Sequence, residues 1–536
     1  MAGPQIVRTV DSTLSGRRLT ALLPEAVRAR PGYRHLADAV RTLVLDGRIG
    51  LHTRLPAERD LAEQLGVSRV TVTSAYDLLR ESGWARSRRG AGTWIELPDG
   101  RNSPHHGGIH GAAGAPGFGL EHGTHARAGA HLGRVDAGEP TAAATGDPAG
   151  GTDPRALGEI DMSMAAMAEP EPGLVTAVDH ALEYARTRLP EALRHPGYHP
   201  FGLPELRAAI AERYTARGLP TRAEQILVTS GAQQAMTLVT DLFCRPGDRV
   251  AAENPTYANA LDALRRAGAR TVPIAVSEEG WDMEIARATL RQAVPRLVYS
   301  IPDFQNPTGL LMPTEDRITL VETTRDLGSM LVVDETITDM ALDAVPPATP
   351  AALVGRGRAE HVISVGGLSK SHWGGLRVGW IRTTTKLVAE LAGIRVARDM
   401  TGSVLEQLMA LPLLATLDAT LPERLDLLRE RRAVLVAELE RHLPEWSWKL
   451  PPGGLSLWVD IGEPVGSALA ERAAAAGVFL VRGNRFGMDP GTFEHRLRIP
   501  YTQPAPLLRE AVRRLAGAFH EGVPLTPTLD RPGWVA

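Results

Sequence analysis

The chain has very little lysine. Only Lys370, Lys386 and Lys449 occur among its 59 basic residues, so its cationic surface is built almost entirely from arginine. A lysine kept between Ser369 and Ser371 therefore needs a reason that arginine cannot supply. A partly buried amine can lose its proton and attack a carbonyl, whereas a guanidinium stays charged. A single lysine is more often a solvated surface residue, so the rest of the sequence has to decide between the two.

The sequence also has a single cysteine, and it lacks a long apolar run and the pattern of a secretion signal. Cys244 is the only cysteine, which excludes an intrachain disulfide and fits a reducing cytoplasm. No apolar run approaches the roughly 20 residues that a membrane span requires. The first residues lack the apolar core of a secretion signal. We therefore expect a cytoplasmic protein with no membrane partner.

Composition predicts a soluble protein of several domains. The chain is 43% hydrophobic and 23% charged, a composition that is ordinary for soluble proteins. Its 536 residues are too many for one hydrophobic core. The net charge of −3 is unevenly distributed, because residues 1–98 carry 15 arginines and no lysine against 10 acidic residues. A basic N-terminal region followed by an acidic remainder indicates that the N-terminal region binds a polyanion.

The N-terminal region contains a candidate helix-turn-helix. Residues 1–30 have no clear periodicity and predict a mobile or loosely docked arm. From Tyr33 apolar positions recur at helical spacing until Asp46 and Gly47, where the helix is expected to end. A second helix is predicted from about Ala57, followed by a turn and a third helix that Ser68 caps. Residues 31–98 therefore predict one DNA-binding domain.

The start of the third helix and a following hairpin carry the predicted DNA contacts. In helix-turn-helix proteins the N-terminal end of the second helix of the motif reaches base edges, and Arg69, Thr71 and Thr73 lie there. After Trp84, two short strands around a glycine turn predict a wing whose arginines meet phosphates. Some helix-turn-helix units only pack against other helices, but the wing and the positive charge favour DNA binding.

These residues resemble the winged helix-turn-helix domain of the GntR family of transcription regulators, from about Tyr33 to Ile95. The family's Leu-Pro-Ser-Glu-Arg segment occurs as residues 55–59 with Ala57 in place of serine, and its Val-Ser-Arg-x-Thr-Val segment is intact at residues 67–72. The resemblance implies that double-stranded DNA is the partner. The implied DNA-binding residues are Arg54, Glu58, Arg59, Ser68, Arg69, Thr71, Arg86, Arg88 and Arg89.

Residues 99–158 predict a flexible linker. They are rich in Gly, Ala, Pro and His and have hardly any large apolar side chains, so they cannot bury enough surface to order the backbone. The root-mean-square reach of a glycine-rich coil of this length is roughly 40 Å. Six histidines between His105 and His131 lack cysteine partners and regular spacing, so a solvated linker is favoured over a metal site.

From Asp161 onward, short apolar strands alternate with amphipathic helices. This alternation predicts a mainly parallel sheet covered on both faces. The predicted strands are 226–229, 249–253, 271–276, 297–301, 331–333, 361–365 and 379–381, and the helices between them include 233–243, 258–267 and 314–327. A long helical region, 400–443, precedes further α/β pieces. We assign residues 159–424 to a large domain, 425–522 to a smaller α/β subdomain and 523–536 to a tail.

Polar residues follow these strands at the edge where ligands gather in parallel sheets. Residues 230–233 open a helix after a strand, a place that suits a phosphate. Asp334 ends an apolar strand, where a carboxylate needs a partner. Tyr257, Asn306 and Lys370 follow further strands. Each residue alone is more often structural, but their joint occurrence in this order favours a ligand site.

In this order the residues are similar to the fold-type I pyridoxal 5′-phosphate (PLP) enzymes of the aspartate aminotransferase class, over residues 160–520. The resemblance implies that Lys370 forms the internal aldimine with PLP and that Asp334 pairs with the pyridinium nitrogen. Arg498 would bind a substrate α-carboxylate. Tyr198 would come from the other subunit of a homodimer. The remaining cofactor contacts that the resemblance implies are Asn306 with the phenolic oxygen, Tyr257 with the ring, and Ala232, Gln233, Ser369 and Arg377 with the phosphate.

Two departures from the family pattern predict weak transamination. The family has a tyrosine shortly after the aspartate, where this chain has Thr336 and Ile337, and a serine three residues before the lysine, where this chain has Gly367. The order of winged helix-turn-helix, linker and aminotransferase-like body resembles the MocR subfamily of GntR regulators. We therefore predict a transcription regulator that senses PLP, an amine or an amino acid through Lys370. The alternative is an active aminotransferase that carries a DNA-binding module.

Overall fold

The computed structural model describes most of the chain on both sides of the predicted linker. Residues 13–96 (the head) and 159–520 (the body) belong to one compact unit. The predicted linker, the predicted tail and Arg89 lie outside the described residues, apart from Gly158. The described ranges are 13–29, 32–50, 53–88, 92–96, 158–167, 169–355, 357–489 and 491–520.

The head is a helix-turn-helix with a two-stranded wing, as predicted. Its elements are α1 (Gly16–Leu22), α2 (Glu25–Ala29), α3 (Tyr33–Leu45), α4 (Glu58–Leu65), α5 (Arg69–Glu81), β1 (Ala85–Arg88) and β2 (Gly92–Ile95). The turn between α4 and α5 places Gly66 in the left-handed region, with φ of 66°, where glycine is favoured. Ser68 then caps α5 by accepting the backbone N–H of Thr71 at 3.2 Å.

Residues 13–29 do not form a loosely docked arm, so that expectation was wrong for this part of the segment. Ser15 caps α1, and the backbone N–H of Leu14 donates to the carbonyl of Arg54 at 2.9 Å. Leu19 and Leu22 are buried in the head core. The helix of seven residues is too short for its apolar positions to show a helical period.

The body alternates strands and helices. Its helices are α6 (Pro172–Ala192), α7 (Pro204–Ala216), α8 (Ala232–Phe243), α9 (Ala258–Arg266), α10 (Met283–Ala293), α11 (Thr314–Asp326), α12 (Pro350–Leu353), α13 (Thr385–Val396), α14 (Val404–His442), α15 (Gly466–Ala475) and α16 (Ala505–His520). Its strands are β3 (Ile160–Met162), β4 (Ile226–Thr229), β5 (Arg249–Asn254), β6 (Arg270–Ser277), β7 (Gly280–Trp281), β8 (Leu297–Ser300), β9 (Met330–Asp334), β10 (Val362–Gly367), β11 (Gly379–Arg382), β12 (Ser447–Trp448), β13 (Ser456–Asp460), β14 (Val478–Arg482) and β15 (Arg496–Pro500).

An eight-stranded sheet forms the centre of the large domain, in the order β4-β11-β10-β9-β8-β5-β6-β7. The pairs from β10 to β6 are parallel, whereas β11 is antiparallel to both of its neighbours and β7 to β6. Ile226 and Val228 of β4 face one apolar core and Leu227 faces the other. The mainly parallel sheet buried on both faces confirms the predicted fold class, and the predicted strands lie within two residues of those observed.

A five-stranded sheet, in the order β12-β13-β15-β14-β3, forms the smaller subdomain. The strand β3 pairs in parallel with β14, so the first segment of the body completes the small sheet, a pairing that the sequence did not predict. The 39-residue helix α14 runs across the predicted boundary at residue 424 and joins the two parts of the body.

The helix α14 also corrects the expectation that no apolar stretch approaches a membrane span. Over an 18-residue window its mean hydropathy is 1.4, and 33% of that window is buried. Length and composition alone carry little weight here, because core helices of soluble proteins meet the same criterion. On the same helix, Arg424 and Arg431 are 1% and 4% exposed, and both donate hydrogen bonds to backbone carbonyls of the body.

The packing of α1 generates a stability prediction. Leu19 is fully buried, so Leu19→Ala should destabilise the head by about 2–5 kcal/mol through the lost apolar contact and the cavity left behind. Native-state hydrogen exchange of head amides measures this loss. Arg17→Ala, an exposed position on the same helix, should leave exchange unchanged. Equal exchange in Leu19→Ala and the wild type would show that α1 does not stabilise the head.

Candidate cofactor site and nucleic-acid interface

One edge of the large sheet collects the polar residues singled out in the sequence. The strands β4, β5, β8, β9 and β10 run in the same direction, so their carboxyl ends meet at this edge. The small subdomain contributes Arg498 from β15. The residues that follow or end the five strands are, in the same order, Gln233, Tyr257, Asn306, Asp334 and Lys370.

Lys370 is a half-buried amine. Its Nζ donates to the carbonyl oxygen of Ala165 at 2.9 Å. Desolvation lowers the pKa of Lys370 from 10.5 to about 8, with Arg498 adding to the decrease and Asp334 opposing it. A larger fraction of the amine is therefore neutral near pH 7 than for a solvated lysine, and the neutral form is the nucleophile.

Asp334 is held by donors on both carboxylate oxygens. The hydroxyl of Tyr299 donates to Oδ2 at 2.6 Å, and Thr336 donates to Oδ1 from its backbone at 3.0 Å and from its hydroxyl at 2.6 Å. Burial, together with the nearby carboxylate, raises the pKa of Tyr299 well above its ordinary value, so its hydroxyl remains a donor. Asp334 is only 7% exposed, and these donors fix the orientation of its carboxylate.

Arg498 is a buried guanidinium with unused hydrogen-bonding capacity. Its side chain donates to Asn306 Oδ1 at 3.4 Å and to the carbonyl of Ser163, and its guanidinium carbon lies 5.1 Å from the centroid of the Phe486 ring. Its Nε is buried and has no hydrogen-bond partner among the described residues. Burial lowers the pKa of Arg498 to about 10. Such a group can take a carboxylate in a two-pronged contact.

The N-terminus of α8 forms a cationic corner with Arg377. Gly231 precedes the helix with φ of 91°, and a Cβ there would lie 2.9 Å from a guanidinium nitrogen of Arg377. Arg377 in turn donates to the carbonyl of Ser230 at 2.6 Å. The first N–H groups of the helix, which include Ala232 and Gln233, and the adjacent guanidinium together suit a phosphate.

Three further predicted residues lie in different surroundings. The hydroxyl of Tyr257 accepts from Asn259 Nδ2 at 2.8 Å, and burial raises the pKa of Tyr257 to about 12. Ser369 is half-buried directly before Lys370. Tyr198 is 63% exposed on the connection between α6 and α7, so its predicted role in a partner's site stays a prediction.

A small cavity of about 20 Å³ opens beside Lys370. Ile337 lines the cavity in the segment where the family has a tyrosine. An isoleucine cannot donate the hydrogen bond that a tyrosine hydroxyl would. The Cβ of a residue at position 367 would lie 3.2 Å from the carbonyl of Val378, so a serine would be crowded. The lining is mostly apolar: Ala165, Phe304, Gln305, Asn306, Gly309, Ile337, Lys370, Gly454, Leu455 and Ser456.

Several residues that support the site were not predicted from the sequence. Arg424 pairs with Glu171 at 2.7 Å and donates to the backbone carbonyl of Lys370. The buried carboxylate of Glu253 accepts hydrogen bonds from both the end of β8 and the loop after it, through Ser300 at 2.6 Å and Gln305 at 3.1 Å. A charged residue within an apolar segment indicates that the side chain needs a buried partner, but the sequence does not show which residue that partner is.

The head exposes arginines around the start of α5. Arg54 and Arg59 are exposed, and the side chains of Arg69 and Arg86 are 71% and 69% exposed. Within β1, the side chain of Arg88 is outside what the structure describes. The arginines that are described face solvent, where a phosphate backbone could approach them.

Three polar residues that were predicted to bind DNA also shape the helix start. The hydroxyls of Ser68 and Thr71 lie 2.9 Å apart. Glu58 accepts from Arg69 Nε at 3.2 Å and from Thr73 at 2.9 Å. These contacts hold the N-terminal turn of α5 and the Arg69 side chain in place.

Two family models match the chain. Residues 179–515 match aminotransferase class I and II, and residues 32–95 match bacterial regulatory proteins of the gntR family. Over 428 residues the chain is 31% identical to the probable rhizopine catabolism regulatory protein MocR of Rhizobium meliloti, which covers 78% of each protein. The chain belongs to the GntR-type regulators that carry an aminotransferase class I and II domain.

Enzymes are also among the similar proteins. Aromatic-amino-acid aminotransferase 1 of Thermococcus litoralis is 30% identical over 60% of this chain and 78% of the enzyme. The structure of the α-aminoadipate aminotransferase LysN of Thermus thermophilus, complexed with N-(5′-phosphopyridoxyl)-L-leucine, has a TM-score of 0.60 and 28% identity. The match covers 67% of this chain and 92% of that one.

This MocR-like body implies PLP as its cofactor. The residues present fit that group on their own chemistry. A half-buried amine of lowered pKa, an oriented carboxylate and a buried arginine with an unpaired N–H lie at the same sheet edge, next to a helix N-terminus that suits the phosphate. Among the described residues no group of three metal-ligating side chains occurs.

The lowered pKa of Lys370 generates a pH prediction. Below about pH 8 the amine is mostly protonated and above it mostly neutral. In the protein without PLP, the acetylation rate of Lys370 should therefore rise through a midpoint near pH 8, as measured by mass spectrometry of its peptide. Lys386, whose side chain is 85% exposed, provides the reference within the same sample. Parallel profiles for the two lysines would contradict the desolvated amine.

Proposed function

We propose that this protein is a transcription regulator that binds PLP through Lys370 and changes its DNA binding in response to PLP, or to an amine or amino acid that reacts at that site. The supporting observation is the combination, in one chain, of exposed arginines at the start of α5 with the desolvated amine of Lys370. The coarser conclusion, a DNA-binding regulator with an aminotransferase-like domain, follows from the two family matches.

PLP supplies an electron sink and an electrophilic carbon when it is bound. Lys370 would supply the amine that joins the cofactor with loss of water, and the Asp334 carboxylate would hold a proton at the ring nitrogen. Tyr299 and Thr336 keep this carboxylate oriented. Asn306 and Tyr257 would hold the ring of the cofactor. Ala232, Gln233, Ser369 and Arg377 would hold its phosphate.

Arg498 narrows the chemistry of the effector. A carboxylate would satisfy its unpaired N–H and neutralise a fully buried charge. An amine without a carboxylate would leave that N–H unpaired in a dry site, which costs free energy. We therefore expect α-amino acids to act more strongly than simple amines.

The regulation requires two arrangements of the protein. A ligand shifts an equilibrium only by its difference in affinity for the two states, so an effector that binds both equally changes nothing. The heads of a dimer would be placed differently in the two arrangements, and the spacing of their DNA contacts would change with them.

We infer a cytoplasmic homodimer. Val175 and Leu182, seven residues apart and so on one face of α6, are 49% and 51% exposed, and Leu193 just after this helix is 73% exposed. Tyr198 and Phe201 continue the exposed series at 63% and 38%. Exposed apolar residues that recur on one element are typical of a protein interface, and Tyr198 would reach the partner's cofactor from it.

An active aminotransferase with a DNA-binding module is the second candidate. The specific observation in its favour is that Lys370, Asp334 and Arg498 are all present and buried or half-buried at one edge, as catalysis would require. The apolar Ile337 beside them argues against efficient turnover. Sustained transamination by the full chain with a panel of amino acids would favour the enzyme.

The regulator proposal predicts a DNA response that depends on Lys370. A duplex selected by the full chain from a random-sequence library should bind with an affinity that changes about fivefold or more, a typical allosteric coupling, when PLP is added to the cofactor-free protein. Fluorescence anisotropy of the labelled duplex measures this. Lys370→Ala should lose the response, and Lys386→Ala should keep it. If PLP binds to Lys370 without any effect on DNA affinity, the proposed regulation is wrong.

The position of Arg69 predicts sequence discrimination. Its side chain lies at the start of α5, the end of the recognition helix that reaches bases. Arg69→Ala should weaken binding to the selected duplex by about 1–3 kcal/mol while affecting unrelated DNA much less. Arg59→Ala, an exposed arginine on α4, is the comparison for a phosphate contact and should weaken both duplexes alike. Equal losses for Arg69→Ala on both duplexes would show that it contacts only phosphate.

A further inference from the structure

One contact between the head and the body lies at the C-terminal end of α3. Three consecutive head residues each contact a different body residue. The backbone N–H of Phe493 donates to the carbonyl of Leu45 at 2.6 Å. The ring Nε2 of His495 lies 2.9 Å from Asp46 Oδ1, and Asn254 Nδ2 donates to the carbonyl of Gly47 at 3.2 Å. We call these six residues the junction.

The junction is close-fitting. Its body residues Asn254, Phe493 and His495 are 1%, 2% and 6% exposed. Gly47 has φ of 64°, and a Cβ at this position would lie 2.3 Å from Asn254 Nδ2 and 3.2 Å from the Phe493 ring. A side chain at position 47 would therefore displace the Asn254 amide from its hydrogen bond with Gly47 and weaken the junction.

One of these body residues, Asn254, is connected to the cofactor site by the residues that follow it. Asn254 lies three residues before Tyr257, and between them Thr256 donates its N–H to the carbonyl of Phe486 at 2.9 Å. The ring of Phe486 in turn lies under Arg498 at 5.1 Å. One short loop therefore touches both the predicted ring-stacking residue and the head.

A small aromatic cluster completes this connection. Trp458 contacts Phe486 and Phe493 edge to face, with ring centroids 5.5 Å and 5.9 Å apart. The ring of Phe486 packs against the guanidinium of Arg498, whereas the backbone N–H of Phe493 donates to Leu45 of the head. A shift of either phenylalanine displaces the ring that the other packs against, because packed interiors have few voids to absorb such a shift.

We propose that docking of the head at the junction is coupled to occupancy of the cofactor site, and that PLP strengthens the docking. This inference rests on the proposed function and specifies its route. Ligand contacts with Tyr257 and Arg498 restrict residues 254–257 and Phe486. The junction then loses less conformational freedom when the head docks. By reciprocity, the docked protein binds PLP more tightly than the undocked one.

Docking at α3 also fixes the DNA-reading helix. The helices α3 and α5 pack together in the head core, so the position of α5 on the body follows that of α3. The start of α5 carries Arg69, which lies away from the junction and remains exposed. PLP binding would therefore alter where the reading surface is held without touching it.

Gly47→Ala tests the coupling, and Gly66→Ala is its matched control. Both glycines follow a head helix with nearly equal φ, 64° and 66°, so both variants carry similar backbone strain. A Cβ at position 66 meets nothing within 4 Å, whereas at position 47 it meets Asn254. Asp46→Ala removes the contact with His495 without a clash and provides a milder second variant.

The amide of Phe493 reports docking directly, because its acceptor is the head residue Leu45. In the full chain, PLP should slow hydrogen exchange at Phe493 in the wild type and in Gly66→Ala, and have little effect in Gly47→Ala. The Kd for PLP should be about fivefold weaker in Gly47→Ala, unchanged in Gly66→Ala, and shifted in the same direction but less in Asp46→Ala.

The outcomes separate this inference from the proposed function. If PLP binds the wild type but leaves Phe493 exchange unchanged, or if all three variants bind PLP like the wild type, the coupling through the junction is wrong. The DNA response of the wild type to PLP is measured separately, so that result leaves the proposed regulation standing. Failure of the wild type to bind PLP at all overturns both.

Discussion

The electrostatics of one buried corner govern the rest of this structure. The amine of Lys370, the carboxylate of Asp334 and the guanidinium of Arg498 meet where little water remains to screen them. Desolvation and Arg498 bring the pKa of Lys370 down to about 8 while Asp334 opposes them. A cofactor with an anionic phosphate and a carboxylate-bearing effector would both balance this excess of positive charge. Arg424, paired with Glu171, holds the backbone of Lys370, whereas Tyr299 and Thr336 hold Asp334.

Different parts of the chain form the candidate cofactor site and the contact between the body and the head. The large sheet brings the predicted cofactor residues to one edge, and the small subdomain adds Arg498 and the phenylalanines of the loop before β15. That loop also touches the end of α3 in the head. A regulator built in this way does not need efficient turnover. The apolar Ile337 and the crowded Gly367 are therefore compatible with a site that binds and signals.

Much of the fold followed from periodicity, whereas most of the supporting contacts did not. Alternating strands and helices predicted the parallel sheet, and Gly66 with Ser68 predicted the turn and cap between α4 and α5. The helix α1 was missed because seven residues are too few to show a period. Tyr299, Glu253 and Arg424 were missed because their partners lie 35 to 253 residues away along the chain, and local sequence carries no information about such pairings.

The central claim is that Lys370 carries the cofactor covalently. Borohydride reduction of the PLP-loaded protein, followed by protease digestion and mass spectrometry, tests this most directly because reduction fixes the cofactor to the residue that holds it. We expect a phosphopyridoxyl mass on the peptide that contains Lys370 and on neither of the peptides that contain Lys386 and Lys449. Cofactor absent from the Lys370 peptide, or distributed over all three lysines, would contradict it.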